Sequence, residues 1–398
     1  MQIKIRKINF NSLTFETIIT ILVILLSKSF YYETYGQNYL LILMLGVIIF
    51  YVLYKSFKEK FLISKKNILY YLLIILIIFV NPNKAMSTSL VFTVGLTISL
   101  FYTSIVPLSH FTSIFYKFIK FIMIASLFRY LVIFTNETPI LPDFISITGE
   151  HFANYIFFGI QKNHGTFLDL IRNNGLWWEP GAFQVIINLA FILGLVFKKV
   201  SKKDYFLFLF VLLTTFSTAG VVIFSILSVV YFRRNINYKL IFLSLLLIVP
   251  VLALSTFYET VIESKLSLDH GSSNSRFNDA TLALRMFSAY PFIGTGLGNL
   301  EILNDFTSKY AYGTGSNGIL FLLANLGLLS FTIFIPLFFP CYLIHIDKMI
   351  DKIMISISLF LLFFTQNFTI ILIFSIIIFY GAKKYKRFNF IGIENEKC

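Results

Sequence analysis

Residues 87–107 read STSLVFTVGLTISLFYTSIVP and contain no charged side chain. The hydrocarbon core of a bilayer is about 30 Å thick, so roughly 20 apolar residues in an α-helix suffice to cross it. A continuous run of this length favours a helix over a barrel strand, because barrel strands are shorter and alternate polar with apolar residues. The stretch therefore predicts a transmembrane helix.

Similar apolar runs recur along the whole chain. It has 398 residues, of which 57% are hydrophobic and 13% charged, and its mean hydropathy is +0.81. Soluble domains are about half apolar and about a quarter charged. We therefore expect an all-α, polytopic transmembrane helix bundle that forms a single integral membrane domain over residues 1–398. About twelve spans are predicted, at roughly residues 14–32, 38–55, 67–81, 87–107, 114–135, 180–197, 204–217, 219–232, 239–257, 317–344, 353–366 and 368–382.

The distribution of Lys and Arg predicts the orientation of this bundle. If residues 205–232 form a hairpin broken at residues 217–220, instead of one long helix, the basic clusters fall on one side. The positive-inside rule places that side in the cytoplasm. The clusters are Lys55 to Lys66, Lys198 to Lys203, Arg233 to Lys239, and Lys383 to Arg387.

The net charge of +14 therefore follows from membrane topology. It does not indicate nucleic acid, which requires a basic face on a soluble module. We predict a multi-pass protein of the bacterial cytoplasmic (inner) membrane with both termini cytoplasmic.

Two outer loops, at residues 136–179 and 258–315, are much longer than the other connections. Long ordered loops usually carry function, and we expect these two to contain short helices. The span at residues 317–344 is overlong and contains Pro336 and Pro340. It should therefore be tilted or kinked.

The first large loop ends in the sequence RNNGLWWEPG at residues 172–181. One interpretation is structural: Pro180 suits a first helical turn, Glu179 suits the helix dipole, and Trp177 and Trp178 suit a membrane interface. The other is a sugar site. Indole faces pack against the apolar edges of sugar rings, and a carboxylate beside Arg172 can act as a base towards a hydroxyl.

Three further arginines are candidates on the outer side. Arg276 and Arg285 lie in the second loop, on opposite faces if one helix carries both. The alternatives are a surface pair of Arg276 with Asp279 and contact of Arg285 with lipid head groups. Arg129 lies inside the fifth span near its outer end, where an ionisable group is a functional candidate unless it reaches to the interface.

Glycines alternate at positions 294, 296 and 298. Their spacing differs from that of a dinucleotide-binding loop, and no strand-turn-helix unit surrounds them. A mobile or tightly turning loop is the simpler interpretation. The outer histidines lack partners at metal-site spacing, so we predict neither a metal nor a cofactor.

Several motifs on the outer side occur together as they do in a known family. They are Arg172 with residues 174–183 (NGLWWEPGAF), residues 217–220 (STAG), Arg276, Arg285 followed by Gly296, and Ser316-Asn317-Gly318 followed by Asn325 and Gly327. Over roughly residues 165–330 the chain resembles the O-antigen polymerase and O-antigen ligase superfamily of polytopic bacterial membrane glycosyltransferases.

The resemblance implies a metal-independent glycosyltransferase that polymerises O-antigen or capsular polysaccharide. Such an enzyme transfers oligosaccharide repeat units from undecaprenyl pyrophosphate to a lipid-linked acceptor on the periplasmic or outer face. The implied partners are the undecaprenyl pyrophosphate-linked oligosaccharide and membrane lipid. Whether a chain-length regulator is a further partner is left open.

The resemblance also suggests roles for the candidate residues. Glu179 is either the base or the residue that orients Arg172. The expected catalytic residues are Glu179, Arg285 and Arg276, and the expected substrate-binding residues are Arg172, Arg129, Trp177, Trp178 and Asn317.

Two other functions stay open. Ligases of the superfamily tend to carry a His beside the Asn where this chain has Ser316, which favours a polymerase. The first alternative is nevertheless an O-antigen ligase that transfers finished polymer to lipid A core or another acceptor. The second is a lipid-linked sugar flippase or transporter, which should carry ionisable groups near the bilayer midplane.

Overall fold

The protein is mostly helical. The structure, a computed structural model, describes residues 10–30, 37–58, 63–135, 141–145, 151–161, 172–235, 271–310, 318–338, 340–366 and 372–383. The predicted span at residues 239–257 lies outside these ranges, and the division of the chain into a single domain stays a prediction.

The helices follow the predicted apolar runs. Before the first long loop they are α1 (Phe10–Leu25), α2 (Gln37–Lys58), α3 (Lys65–Val80), α4 (Met86–Ile105) and α5 (Leu108–Thr135). After it they are α6 (Pro180–Val196), α7 (Lys202–Thr214), α8 (Thr218–Asn235), α9 (Gly271–Ala289), α10 (Leu300–Tyr310), α11 (Gly318–Leu326), α12 (Phe331–Phe338), α13 (Met349–Thr365) and α14 (Leu372–Ala382).

Two of the described helical segments, Met86–Ile105 and Leu108–Arg129, are long and apolar enough to cross a membrane by length and composition. Six shorter helical segments are also apolar: Thr14–Leu25, Leu40–Leu53, Pro180–Val196, Thr218–Arg233, Gly318–Ile333 and Leu372–Ala382. The helical bundle is thus as expected, whereas the number of about twelve crossings stays a prediction.

The predicted hairpin at residues 205–232 is confirmed. A capping box between Ser201 and Asp204 starts α7, and the chain breaks at residues 215–217 before α8 begins. The Tyr205 hydroxyl lies 3.1 Å from Ser228 Oγ, and its ring stacks on Tyr231 with centroids 4.9 Å apart. The start of α7 therefore packs against the end of α8, as in an antiparallel pair.

One end of the bundle, here called the basic end, joins α1, α4, α5, α7, α8, α13 and α14. The contacts are His110 Nδ1 to Glu16 Oε2 at 2.7 Å, Lys120 to Asp204, Arg233 Nη1 to Asp351 Oδ1 at 3.5 Å, and Lys383 Nζ to the Thr103 carbonyl at 3.2 Å. Lys198 to Lys203 flank the start of α7 at this same end. Described members of three of the four basic clusters, at Lys198 to Lys203, Arg233 and Lys383, thus lie at this end, as the hairpin prediction requires.

The opposite end, here called the loop end, joins the other ends of several of these helices. Ser27, just after α1, accepts the Trp177 indole N–H at its carbonyl (2.9 Å) and the Ile373 backbone N–H at its Oγ (3.1 Å). Asn173 N donates to the Thr214 carbonyl at the end of α7 (2.8 Å). The segment at residues 172–179 is thus on the side away from the basic clusters.

The first long loop differs from the expectation of short helices. Its described part is a three-stranded antiparallel sheet of order β1-β2-β3, with strands Leu141–Ile145, His151–Asn154 and Gly159–Gln161. These strands carry aromatic and β-branched residues such as Phe144, Phe152 and Ile160, which favour extended backbone. In the second long loop the described residues include α9, of 19 residues, and α10, of 11 residues.

The span predicted at residues 317–344 is broken, as its prolines suggested. Pro336 lies inside α12, and a 3₁₀-helix, Cys341–His345, follows Pro340. A further break occurs at Gly327, with φ +63°, where the Leu328 N–H donates to the Pro291 carbonyl at 2.8 Å. The loop that contains Pro291 therefore stabilises the break at Gly327.

The backbone conformation of the segment Ile293–Asn299 requires glycine at three alternate positions. Gly294, Gly296 and Gly298 have φ values of +71°, +91° and +69°, which L side chains rarely adopt. The loop packs on the α3–α4 connection, where Leu297 O accepts the Ala85 N–H at 2.8 Å. On its other side the Gly296 N–H donates to Asn325 O at 3.0 Å. It is therefore a tight turn between two parts of the bundle.

We expect the substitution Gly296→Ala to lower the thermal unfolding midpoint of the purified protein. A Cβ at Gly296 would lie 2.7 Å from the Asn83 carbonyl carbon and from Lys84 N, and backbone atoms cannot move aside cheaply. Gly95→Ala on α4 is the matched control, because a Cβ there meets nothing within 4 Å. Equal midpoints for the two variants would contradict the tight packing of this turn.

Candidate active site

The segment Arg172–Glu179 docks between helices at the loop end. Asn173 holds it, because its side-chain amide donates to Ser126 Oγ on α5 (2.9 Å) and Thr214 Oγ1 on α7 (3.1 Å). The Gly175 N–H in turn donates to Asn173 Oδ1 at 3.0 Å. This side chain thus fixes an irregular segment against two helices.

The docked segment lies below the last turns of α5, at the loop end. That helix continues from Ser126 to Thr135, which at 1.5 Å per residue is roughly 13 Å. The 13 residues of α7 span only about 20 Å, less than the ~30 Å of a bilayer core. Irregular backbone at membrane depth needs internal hydrogen-bond partners, and the contacts of Asn173 supply them. The docked segment therefore places polar groups below the end of α5.

Arg129 anchors the same segment from α5. Its side chain is 2% exposed, and Nη1 donates to the Arg172 carbonyl at 2.5 Å and to Asn174 Oδ1 at 3.0 Å. A guanidinium so enclosed holds the backbone of the docked segment. The described contacts thus give Arg129 a positioning role, and its contact with substrate stays a prediction.

The two tryptophans have different environments. Trp177 is 0% exposed, its ring stacks on Phe183 with centroids 5.4 Å apart, and its indole N–H is bonded to Ser27. Neither face of the ring is open, and its expected contact with a sugar ring stays a prediction. Trp178 is partly exposed, so of the pair only this indole can meet a substrate.

Lys28 was not singled out from the sequence. Its ammonium lies 4.6 Å from the centroid of the Trp178 ring, within the range of a cation–π interaction. Its φ of +57° is uncommon for a non-glycine residue. The sequence held one signal for this residue: Lys28 lies on the side of the bundle where the positive-inside rule predicts few Lys and Arg residues.

Glu179 is partly exposed and occupies the N-cap of α6, yet its side chain makes no capping hydrogen bond. Gly181 lies beside it: a Cβ there would be 3.7 Å from Glu179 Oε1 and 3.2 Å from Gln366 Cδ. The end of α13 therefore brings Gln366 next to this carboxylate. Sequence reasoning missed this neighbour, since nothing local links the two positions.

Arg172 completes the site at the tip of the α7–α8 hairpin. Its side chain is partly exposed, and Nε donates to the Thr215 carbonyl at 3.5 Å. The docked segment thus presents Arg172 at one end and Trp178 and Glu179 at the other. Two cations, an indole and a carboxylate therefore lie in or beside the docked segment.

This geometry can now be compared with known proteins. Residues 205–335 match the family model for O-antigen ligase. The match confirms the resemblance to the O-antigen ligase and polymerase superfamily, whose members are integral membrane proteins of the glycosyltransferase type. No curated protein matches the chain.

The O-antigen ligase match begins within α7 and ends within α12. It includes the hairpin tip that receives Arg172, the glycine turn and the broken span. The docked segment at residues 172–179 precedes it. The family match and the geometry of the docked segment are therefore independent observations on adjoining parts of the site.

The other expected site residues lie inside this O-antigen ligase region. Arg285 is exposed on α9, whose buried residues Leu282 and Met286 pack with Ala324 of α11. Asp279 is 0% exposed, so a solvent-exposed pair with Arg276 is wrong for this carboxylate. Arg276 is part of α9, but its side chain lies outside the described residues, as does Asn317.

Proposed function

We propose that the chain is a polysaccharide polymerase of the bacterial cytoplasmic membrane. It transfers oligosaccharide repeat units from undecaprenyl pyrophosphate to a lipid-linked acceptor on the outer face. The observation that carries this proposal is the docked segment at the loop end, opposite the basic clusters. There Lys28 lies over the Trp178 ring, and the partly exposed Glu179 is the next residue of the chain.

The position of the docked segment below the end of α5 suits a lipid-linked donor. An isoprenoid tail stays in the hydrocarbon while its pyrophosphate lies near the head groups, so a polar site below the helix ends can receive it from the membrane. The short α7 and the docked segment create this polar depth at one place. A soluble sugar nucleotide would not need it.

The reaction needs one base and several cations. An acceptor hydroxyl loses its proton to Glu179 and attacks the anomeric carbon from the face opposite the pyrophosphate. The bond between that carbon and the pyrophosphate oxygen breaks, and a glycosidic bond of inverted configuration forms. The leaving group gains negative charge, which Lys28 and Arg172 stabilise. Arg276 and Arg285 of the second loop stay candidates for the same charge.

Trp178 gives the site an apolar surface. One indole face is shared with the Lys28 ammonium at 4.6 Å, and the ring is otherwise partly exposed. A pyranose has apolar C–H edges that pack on such a ring. We therefore assign Trp178 to sugar positioning and Trp177 to the fold.

The ligase alternative is supported by the description of the matched family. A deletion strain separates the possibilities. Loss of a polymerase leaves single repeat units on the final acceptor, whereas loss of a ligase leaves long chains on the carrier lipid. Loss of a flippase leaves lipid-linked units on the cytoplasmic face. Only the first result supports the proposal.

We expect Lys28→Gln to slow extension of lipid-linked repeats by roughly 10- to 100-fold, because removing one charge-stabilising donor has effects of this order or larger. Lys28→Arg should recover much of the rate. Lys309→Gln is the matched control, since Lys309 is 61% exposed and pairs with Asp305 on α10. Equal rates for Lys28→Gln and the control would remove Lys28 from the site.

A further inference from the structure

A groove of about 480 Å³ lies at the basic end, away from the docked segment. It runs between α5 and α7, and its volume falls in the range of roughly 300–1,000 Å³ that small-molecule sites occupy. The lining residues are Ser113, Tyr116, Lys117, Lys120, Phe121, Ile124, Lys199 and Asp204. None of them takes part in the proposed glycan transfer.

The groove carries an excess of positive charge. Its one lining carboxylate, Asp204, pairs with Lys120. Lys117 and Lys199 then add charge to the same lining without a second acid there to balance it. Partial burial and the nearby charge of Lys117 lower the pKa of Lys199. A bound anion would relieve this repulsion.

The wall of the groove changes from basic to apolar along α5. Lys117, Phe121 and Ile124 are spaced four and then three residues apart, so they lie on one face of the helix. Phe121 and Ile124 are 48% and 47% exposed, and the edge contact of Phe121 with Phe157, centroids 4.9 Å apart, bounds the apolar end. The groove therefore matches an amphiphile with an anionic head.

We propose that this groove binds an anionic phospholipid of the surrounding leaflet. Lys117 and Lys199 contact the phosphate, and an acyl chain lies along Phe121 and Ile124. Basic pockets between membrane helices commonly hold such head groups. A free phosphate is also an anion but leaves the apolar wall unused.

The test compares lipids on purified full-length protein in a zwitterionic detergent. Binding is followed by native mass spectrometry and by the thermal unfolding midpoint, with phosphatidylglycerol, phosphatidylcholine or inorganic phosphate added. We expect phosphatidylglycerol alone to bind and raise the midpoint. The double variant Lys117→Gln/Lys199→Gln should bind it roughly tenfold more weakly or worse. Lys202→Gln/Lys203→Gln removes equal charge from exposed positions outside the groove and should bind as the wild type does.

Three results would overturn the proposal. Equal binding of phosphatidylcholine would remove the role of the charge, and equal stabilisation by inorganic phosphate would assign the groove to a soluble anion. If the two double variants lost the same affinity for phosphatidylglycerol, binding would depend on general surface charge and not on the groove. If the groove variant does not fold, Lys199→Gln alone is measured, and an unchanged affinity for phosphatidylglycerol counts against the site.

Discussion

The variant Glu179→Gln is expected to extend lipid-linked repeat units at least about 100-fold more slowly than the wild type, because a positioned general base contributes roughly 10²- to 10⁴-fold. Glutamine keeps the size of the side chain but cannot accept the proton of the acceptor hydroxyl. The measurement is extension of a purified lipid-linked repeat by purified protein.

The fold should survive this change. The Glu179 side chain makes no capping hydrogen bond with α6, so helix initiation does not depend on its charge. Glu301→Gln is the control, since Glu301 is an exposed acid in the first turn of α10. An unchanged rate in Glu179→Gln would exclude Glu179 as the base.

The same assay separates the two roles left open for Glu179. A base makes the wild-type rate rise with pH in the acid range, and Glu179→Gln should lose this dependence. A residue that only orients Arg172 should instead leave the pH profile in place while the rate at every pH falls. The second pattern would transfer the role of base to another group.

Arg129→Met is expected to have the second large effect, on stability as well as on activity. It leaves the Arg172 carbonyl and Asn174 Oδ1 without the donor they share, and each buried unsatisfied acceptor costs roughly 1–3 kcal/mol. The thermal unfolding midpoint should fall by several degrees, and extension should be lost because the docked segment is no longer held.

Lys203→Gln is the control for the loss of a positive charge, because Lys203 is exposed at the start of α7. Its unfolding midpoint should match the wild type. An Arg129→Met protein with normal midpoint and normal activity would show that Arg129 does not anchor the docked segment.

Features set by local sequence could be predicted. The existence of the α7–α8 hairpin follows from basic clusters that must share one side. Its break was predicted at residues 217–220 and lies at residues 215–217, because Thr218 already begins α8. The break near the end of α12 follows from Pro336 and Pro340. The N-cap position of Glu179 follows from Pro180, which suits the first helical turn.

Features set by distant contacts could not be predicted. Trp177 and Trp178 are neighbours with the same side chain, yet Trp177 is buried because Ser27 accepts its indole N–H. Lys28 lies over the ring of Trp178, and the side chain of Gln366 lies beside Gly181. No pattern within a single segment contains these pairings.

The glycine turn and the small sheet illustrate the same limit. The spacing of the glycines excluded a nucleotide loop, but the packing of Gly296 against Asn83 and Asn325 needed the fold. The sheet was missed because its strands have three to five residues, too few to show a reliable period of two.

The proposed reaction requires that Glu179 and the basic clusters face opposite sides of the membrane. Single cysteines at Glu179, Lys203 and Phe292, which is 72% exposed beside the glycine turn, can be placed in a Cys341→Ser/Cys398→Ser background. They are then treated with an impermeant maleimide in intact spheroplasts and in inverted vesicles. We expect positions 179 and 292 to react in spheroplasts and position 203 to react in inverted vesicles. Reaction of position 179 in inverted vesicles alone would contradict the account.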